Sequence, residues 1–127
     1  MNKTILVTGL VLGVLAIILG AFGAHGLKKV LTADELGTFE TGVRYQMYQA
    51  LFLLFLSMLP KMADDTKKWV FYAIVIGVVL FSFSIYFLAT NKLTAFDFRK
   101  IGWITPIGGL FMITGWVYLI ISVLAKK

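Results

Sequence analysis

Few side chains in this sequence can do chemistry near neutral pH, and most of them stand on one short run. Glu40, Arg44, Tyr45, Gln46, Tyr48 and Gln49 lie immediately before the apolar stretch that begins at Leu51. Glu40 and Arg44 are spaced i and i+4 with the acid first, the order that favours an ion pair on one helix face or, with the pair opened, one half of an anion site. His25 is the single histidine and the one side chain whose ordinary titration range is near neutral. At about 100° per residue, Glu40, Thr41, Arg44, Tyr45 and Tyr48 form one stripe, with Gln49 at its margin and Gln46 off it. Further along, Ser82, Ser84, Thr90 and Thr105 add hydroxyls.

No catalytic residue is assigned, because no nucleophile stands at a spacing that gives it a base. The chain has no cysteine, which excludes thiolate metal sites, disulfides and cysteine nucleophiles. A lone histidine excludes a multi-histidine metal site within one chain, so neither a metal nor another cofactor is expected.

These groups are positioned by elements of an integral membrane protein. Of 127 residues, 60% are hydrophobic and 14% charged, with a mean hydropathy of +0.92, a balance that a soluble core of this size cannot hide. The formal charge of +6 would suggest nucleic acid in a soluble protein. Here the cations fall in the links and ends between apolar runs, where they act as topology signals and lipid-headgroup partners, so no nucleic-acid partner is expected.

The pattern predicts an all-α, polytopic bundle of four transmembrane helices, up-down-up-down, spanning about 5–24, 40–59, 69–89 and 106–125 as a single domain. The first run is longer than the usual apolar core of a signal peptide and is read as a retained span. Its small residues Gly9, Gly13, Ala16, Gly20 and Ala24 recur three or four apart, a spacing that lets another helix approach. Thr32 and Glu35 form a capping-box pattern, which starts the second helix outside the membrane. Counted back from Leu59 at about 1.5 Å per residue, Arg44 lies roughly 6 Å inside the membrane edge and Gln49 roughly 13 Å, near the middle of a core about 30 Å thick. Neither should face lipid, so the stripe is expected to face protein. Residues 61–68 form a charged turn, and Trp69 and Tyr72 suit an aromatic belt. Thr105 suits a cap and Pro106 the first helical position of the last span.

Threading the four helices alternately places the polar groups on the side opposite the termini. His25, the polar start of the second helix, Ser82, Ser84, Thr90 and Thr105 all fall there, at the level of Gly20, Gly23, Gly108 and Gly109. The terminal half is expected to be almost entirely aliphatic and aromatic. Two readings of the polar side stand together. It is a pocket for a lipid or small polar ligand, or it is a network that ties helices, each bond contributing about 1 kcal/mol or less. Cations lean slightly to the terminal side, which carries Lys3, Lys61, Lys67, Lys68, Lys126 and Lys127 against Lys28, Lys29, Lys92, Arg99 and Lys100.

One stretch per helix also resembles a known family. Gly20-Ala21-Phe22-Gly23-Ala24-His25-Gly26, Thr41-Gly42 with Tyr45-Gln46, Leu80-Phe81-Ser82 with Ser84 and Tyr86, and Thr105-Pro106-Ile107-Gly108-Gly109 with Gly115-Trp116 resemble the small four-span bacterial membrane proteins of the domain of unknown function 423, which are similar to animal transmembrane protein 256. The chain departs from that pattern at Gln49, where the family usually has histidine, and at Phe83, where it often has glycine. The resemblance implies a bacterial inner membrane protein with cytoplasmic termini, and it implies no established reaction.

The functional expectation is a non-enzymatic protein that binds a partner, lipid or small polar ligand through its polar side. The alternative is a small transporter, against which the first span carries no acid to couple to protons. An intramembrane enzyme using His25 and Glu40 for acid-base work, with Arg44 holding an anion, ranks third. Spare glycine faces would suit a homo-oligomer or another membrane protein as partner.

Overall fold

The computed structural model describes residues 2–95 and 97–125. Lys126 and Lys127, counted above with the terminal charges, lie outside the described residues. Among the described residues the regular structure is helical: α1 (Asn2–His25), α2 (Ala33–Met58), α3 (Asp64–Val78), a π-helical turn (Val79–Phe83), α4 (Ser84–Ala89) and α5 (Ile104–Ala125), with one 3-10 turn after α1 and two between α4 and α5. α3, the π turn and α4 run on as one rod. Among the described residues, three segments are long and apolar enough to cross a membrane, namely α1, the α3–α4 rod and α5 with the link before it. α2 is not among them, because even its most apolar stretch, residues 41–58, carries Arg44, Gln46 and Gln49.

Each turn has a local cause. Thr32 accepts from the Glu35 amide at 3.1 Å and donates its own amide to Glu35 Oε1 at 2.8 Å, closing the capping box that starts α2. Pro60 holds Leu59 extended at ψ 122°, which stops α2. Lys61 then turns the chain at φ 59°, a left-handed conformation that a residue with a Cβ adopts at some strain. Asp64 and Asp65 stand in the first turn of α3, complementing its dipole.

The helices pair in alternating directions. Gly9 of α1 packs on Leu53 and Leu54, Gly20 on Val43 and Gly23 on Phe39, so α1 and α2 run antiparallel. The rod and α5 are antiparallel as well, with Gly115 on Ile74 and Gly108 on Leu80. A Cβ added to Gly108 would lie 2.7 Å from the Leu80 carbonyl carbon and 2.8 Å from Gly77 O, so the two backbones touch where only glycine fits. α2 and α5 run parallel, joined by Phe52 stacked on Trp116 at 4.1 Å.

Two apolar clusters form the interior. One lies toward the termini and includes Ile5, Leu53, Leu56, Val70, Ile74 and Met112. The other lies toward the opposite end and comprises Leu27, Leu31, Phe39, Tyr86 and Ala89. Outside, α1 and α5 present Leu10, Val14, Ile17, Leu110, Ile113 and Leu124, the outward apolar surface of a helix set in lipid.

The terminal half departs from its expected aliphatic and aromatic character at Lys67. This residue lies in α3, not in the link, and is only 2% exposed. Its ammonium donates to Asn2 Oδ1 at 3.2 Å and sits 3.5 Å from the Ser57 carbonyl. The last carbonyls of α2 have no intrahelical donor, and a lysine turned inward supplies one.

Candidate functional site

Between the two apolar clusters lies a polar layer built from α1, α2, the π turn, α4 and α5. Its centre is Gln46, fully buried at 0% exposure. The Gln46 amide donates to the Leu12 carbonyl at 2.9 Å, and its carbonyl oxygen accepts from the Tyr86 hydroxyl at 2.6 Å. One side chain thus ties α2 to α1 and to α4. Gly42, one turn earlier, makes room for this. A Cβ there would meet Tyr86 Cε1 at 2.6 Å, so the freed space admits the Tyr86 ring, and the Gly42 carbonyl accepts from the Ser82 hydroxyl at 2.9 Å. Ser82 sits inside the π turn, where one extra residue widens the helix.

Ser84 and Thr105 share a hydrogen bond of 2.6 Å between α4 and α5, and Ser84 also lies 2.8 Å from the Phe81 carbonyl. Thr105 was expected to cap the last span with Pro106 first in the helix. Instead α5 begins at Ile104, and the Thr105 hydroxyl turns sideways to the neighbouring helix.

Gln49 is 6% exposed and takes a different partner. The Trp116 indole donates to its carbonyl oxygen at 2.9 Å. Since an indole N–H can only donate, this contact fixes which end of the amide faces Trp116, and the NH2 group points elsewhere. Gln49 lines a cavity of about 400 Å³, together with Tyr45, Phe81, Gly109, Met112, Ile113, Trp116 and Val117. Tyr45 packs edge-on to Phe81 at 5.1 Å to form one wall.

Of the remaining residues singled out from the sequence, Tyr45 and Gly109 reach only the cavity and the others do not join this layer. The expected protein-facing stripe of Glu40, Thr41, Arg44, Tyr45 and Tyr48 lies on the outside of α2, with Thr41 half-buried, Tyr45 40% and Tyr48 52% exposed. The face that packs inward is instead Gly42, Gln46, Gln49 and Leu53. Size decides the choice, because Gly42 admits a neighbouring ring that a stripe of tyrosines and charges would hold away. Arg44 donates to Thr41 Oγ1 at 3.1 Å and makes no ion pair with Glu40 among the described residues. His25 ends α1 exposed, and its side chain makes no hydrogen bond among the described residues. Thr90 bonds back to the Tyr86 carbonyl at 2.8 Å. Gly20 and Gly23 serve the α1–α2 contact, Gly108 the close approach of α5 to the rod, and Gly109 borders the cavity. No group of three metal-ligating residues occurs among the described residues.

Two residues of the layer escape a reading of polarity along the sequence. Tyr86 looks like another belt tyrosine, and Trp116 like an interfacial tryptophan, yet each donates to a glutamine of α2. The signal available was position for Trp116, half-way along an apolar helix, where an indole N–H needs an acceptor; Tyr86, near the end of its rod, carried no such signal.

Beyond the layer, the links form a polar rim. Lys92 pairs with Glu35 at 2.7 Å, and Asp97 accepts from the Arg99 amide and guanidinium at 3.1 and 3.0 Å. The Lys92 hydrogen bond, aided by the Thr32 amide, holds the Glu35 carboxyl below its ordinary range. Arg99 does the same to Asp97.

The whole arrangement is that of a small helical membrane protein, and comparison with known proteins identifies its kind. Residues 19–109 match the family described as "Protein of unknown function (DUF423)". Three relatives span nearly the full chain. A membrane protein of Staphylococcus saprophyticus, UPF0382 membrane protein SSP2132, is 39% identical over 94% of this chain and 96% of its own. UPF0382 membrane protein YwdK of Bacillus subtilis is 34% identical over 94% and 95%, and UPF0382 inner membrane protein YgdD of Escherichia coli K12 is 33% identical over 99% and 93%. The chain belongs to this family of membrane proteins, whose names carry no biochemical activity. No solved structure matches it.

Proposed function

We propose that this protein acts in a bacterial inner membrane by binding, without catalysis, through the cavity at the open edge of its polar layer. The observation that carries this reading is the separation of two sets of groups. The groups able to move protons near neutral pH, His25 and Glu40, lie exposed and share no ion pair among the described residues, whereas the amides Gln46 and Gln49 are buried, and Gln49 borders a cavity. General acid-base chemistry needs its groups within reach of a common atom. An apolar cavity with one directed polar group suits recognition.

On this reading all four rods cross the membrane. α2 has 26 residues, about 39 Å of helix, which spans a core of about 30 Å with its capped first turns standing outside. Its charges Glu40 and Arg44 fall near that edge, where they reach headgroups. The termini then lie together, on the cytoplasmic side by the lean in cations.

The absence of native cysteine makes the topology direct to test. Asp34→Cys and Lys61→Cys should label from opposite sides of intact spheroplasts, and labelling from one side would remove the second crossing. For function, a strain lacking the gene would be complemented with variants at matched abundance. Gln49→Leu and Gly109→Leu should fail to restore whatever growth defect the deletion causes, and His25→Ala and Glu40→Ala should restore it. The reverse pattern would overturn binding at the cavity in favour of proton chemistry.

A further inference from the structure

The cavity beside Gln49 is specific enough to name a ligand class. Gln49 is buried to 6% exposure, and its carbonyl oxygen is occupied by the Trp116 indole. Its NH2 group has no partner among the described residues, yet no fully buried side-chain nitrogen or oxygen there lacks one. The NH2 group is therefore open, and the opening available to it is the cavity it lines. An amide NH2 only donates, so the missing partner is an acceptor. It is a neutral one, because no cationic side chain lines the cavity to hold an anion in this setting.

The walls give the shape. Tyr45, Phe81 and Trp116 supply ring faces and edges around about 400 Å³, which suits a flat ring. Depth gives the source. Counted from Pro106 at about 1.5 Å per residue, Trp116 lies roughly 15 Å along its helix, and Gln49 lies roughly 13 Å from the same edge. Both positions are near the middle of a hydrocarbon core about 30 Å thick. Phospholipid ester carbonyls stay at the edge of that core, beside the headgroups. Tyr45 and Trp116 are partly exposed on the outer surface, so the route in is from the lipid.

We infer that this cavity binds an uncharged, membrane-soluble ring carbonyl compound of the quinone class, with a ring carbonyl accepting from the Gln49 amide and the ring lying against Trp116. This rests on the binding role proposed above and adds the chemistry of what is bound.

The test uses the full chain in phosphatidylcholine nanodiscs, with Trp69→Phe and Trp103→Phe leaving Trp116 as the sole tryptophan. A decyl-substituted benzoquinone is titrated while Trp116 fluorescence is read, since a ring in contact quenches indole emission. The expected result is a saturable component above collisional quenching. Gln49→Leu, which removes the donor at similar volume, should weaken it at least about tenfold. Gly109→Leu should abolish it. A Cβ at Gly109 meets nothing closer than Phe81 Cδ1 at 3.7 Å, so this variant fills the cavity while keeping the helix contacts, and it decides the matter even if Gln49→Leu assembles poorly.

Linear quenching, equal in all three proteins, would overturn the inference. So would equal displacement of the quinone by methyl oleate, which makes the occupant an acyl ester. If quinone binding fails while the cavity variants still fail to complement the deletion strain, the ligand class falls and the binding role stands. If both fail, the role falls too.

Discussion

Gln46 and Gln49 are the same residue, three positions apart on one helix, and they end in different circumstances. Gln46 is closed in on every side and uses both ends of its amide, one on Leu12 of α1 and one on Tyr86 of α4. Gln49 uses one end, on Trp116 of α5, and borders open space with the other. The difference comes from their neighbours. Around Gln46 three helices converge, because Gly42 lets the Tyr86 ring close against α2. Beside Gln49, Gly109 faces the same region without a side chain and nothing fills the gap. A buried amide is thus a joint where its surroundings close and, in the binding role proposed above, a recognition group where they do not.

The most damaging way to break this contrast is to deny Gln46 its neighbour. Gly42→Val would drive a side chain into the Tyr86 ring and part α2 from the rod, at a cost of about 3 kcal/mol. Titrating the detergent-solubilised protein with sodium dodecyl sulfate should show the midpoint fall steeply. Gln46→Leu should cost roughly 2 kcal/mol, because the Tyr86 hydroxyl is left buried without its acceptor. Adding Tyr86→Phe to Gln46→Leu should recover part of that loss, since neither polar end is then stranded. A double variant as unstable as the sum of the two singles would show that the pair does not act as one unit.

Gln49→Leu sharpens the comparison from the other side. One hydrogen bond, from Trp116, is lost next to a cavity, so the same denaturant titration should register about 1 kcal/mol or less. A loss as large as that of Gln46→Leu would make Gln49 a second structural joint. The smallest effect concerns the rim, where solvent weakens every charge. The Glu35 carboxyl is held below its ordinary value of 4.5 by Lys92 and the Thr32 amide. Its contribution to order at the start of α2 is therefore complete above about pH 4.5 and fades as pH falls through the lowered value. Glu35→Gln should flatten this acid dependence in a pH series of thermal melts, and an unchanged slope would assign the acid sensitivity to other groups.

The helical rods and their antiparallel order were legible because hydrocarbon requires continuous apolar runs with internally bonded backbone. The capping box at Thr32 was legible for a local reason, since its two bonds join residues three apart. The inward face of α2 was not. Assigning the stripe of Glu40, Arg44, Tyr45 and Tyr48 to the interior weighed polarity, while the fold weighed volume and turned Gly42 and Gln46 inward. In a bilayer both the neighbour and the solvent are apolar, so a stripe of polar residues can reach headgroups or aromatic edges, and close packing at a glycine settles the orientation. The same rule makes the small stripe of α1 readable as a packing face yet silent about its partner. The inward turn of Lys67 was hidden because its reason, the bare carbonyls ending α2, belongs to another helix.

The π turn at Val79–Phe83 acts as a gear between two sets of pairings. One added residue advances everything after it by about 100° around the rod axis. Below the turn and into it the rod meshes with α5, Gly77 and Leu80 against Gly108, and above it Tyr86 meshes with α2 at Gly42. A rod of uniform pitch could hold one of these meshes but would rotate the other out of engagement. A protein of this family one residue shorter at this turn would therefore have to give up either the glycine seam with its last helix or the glutamine joint with its second.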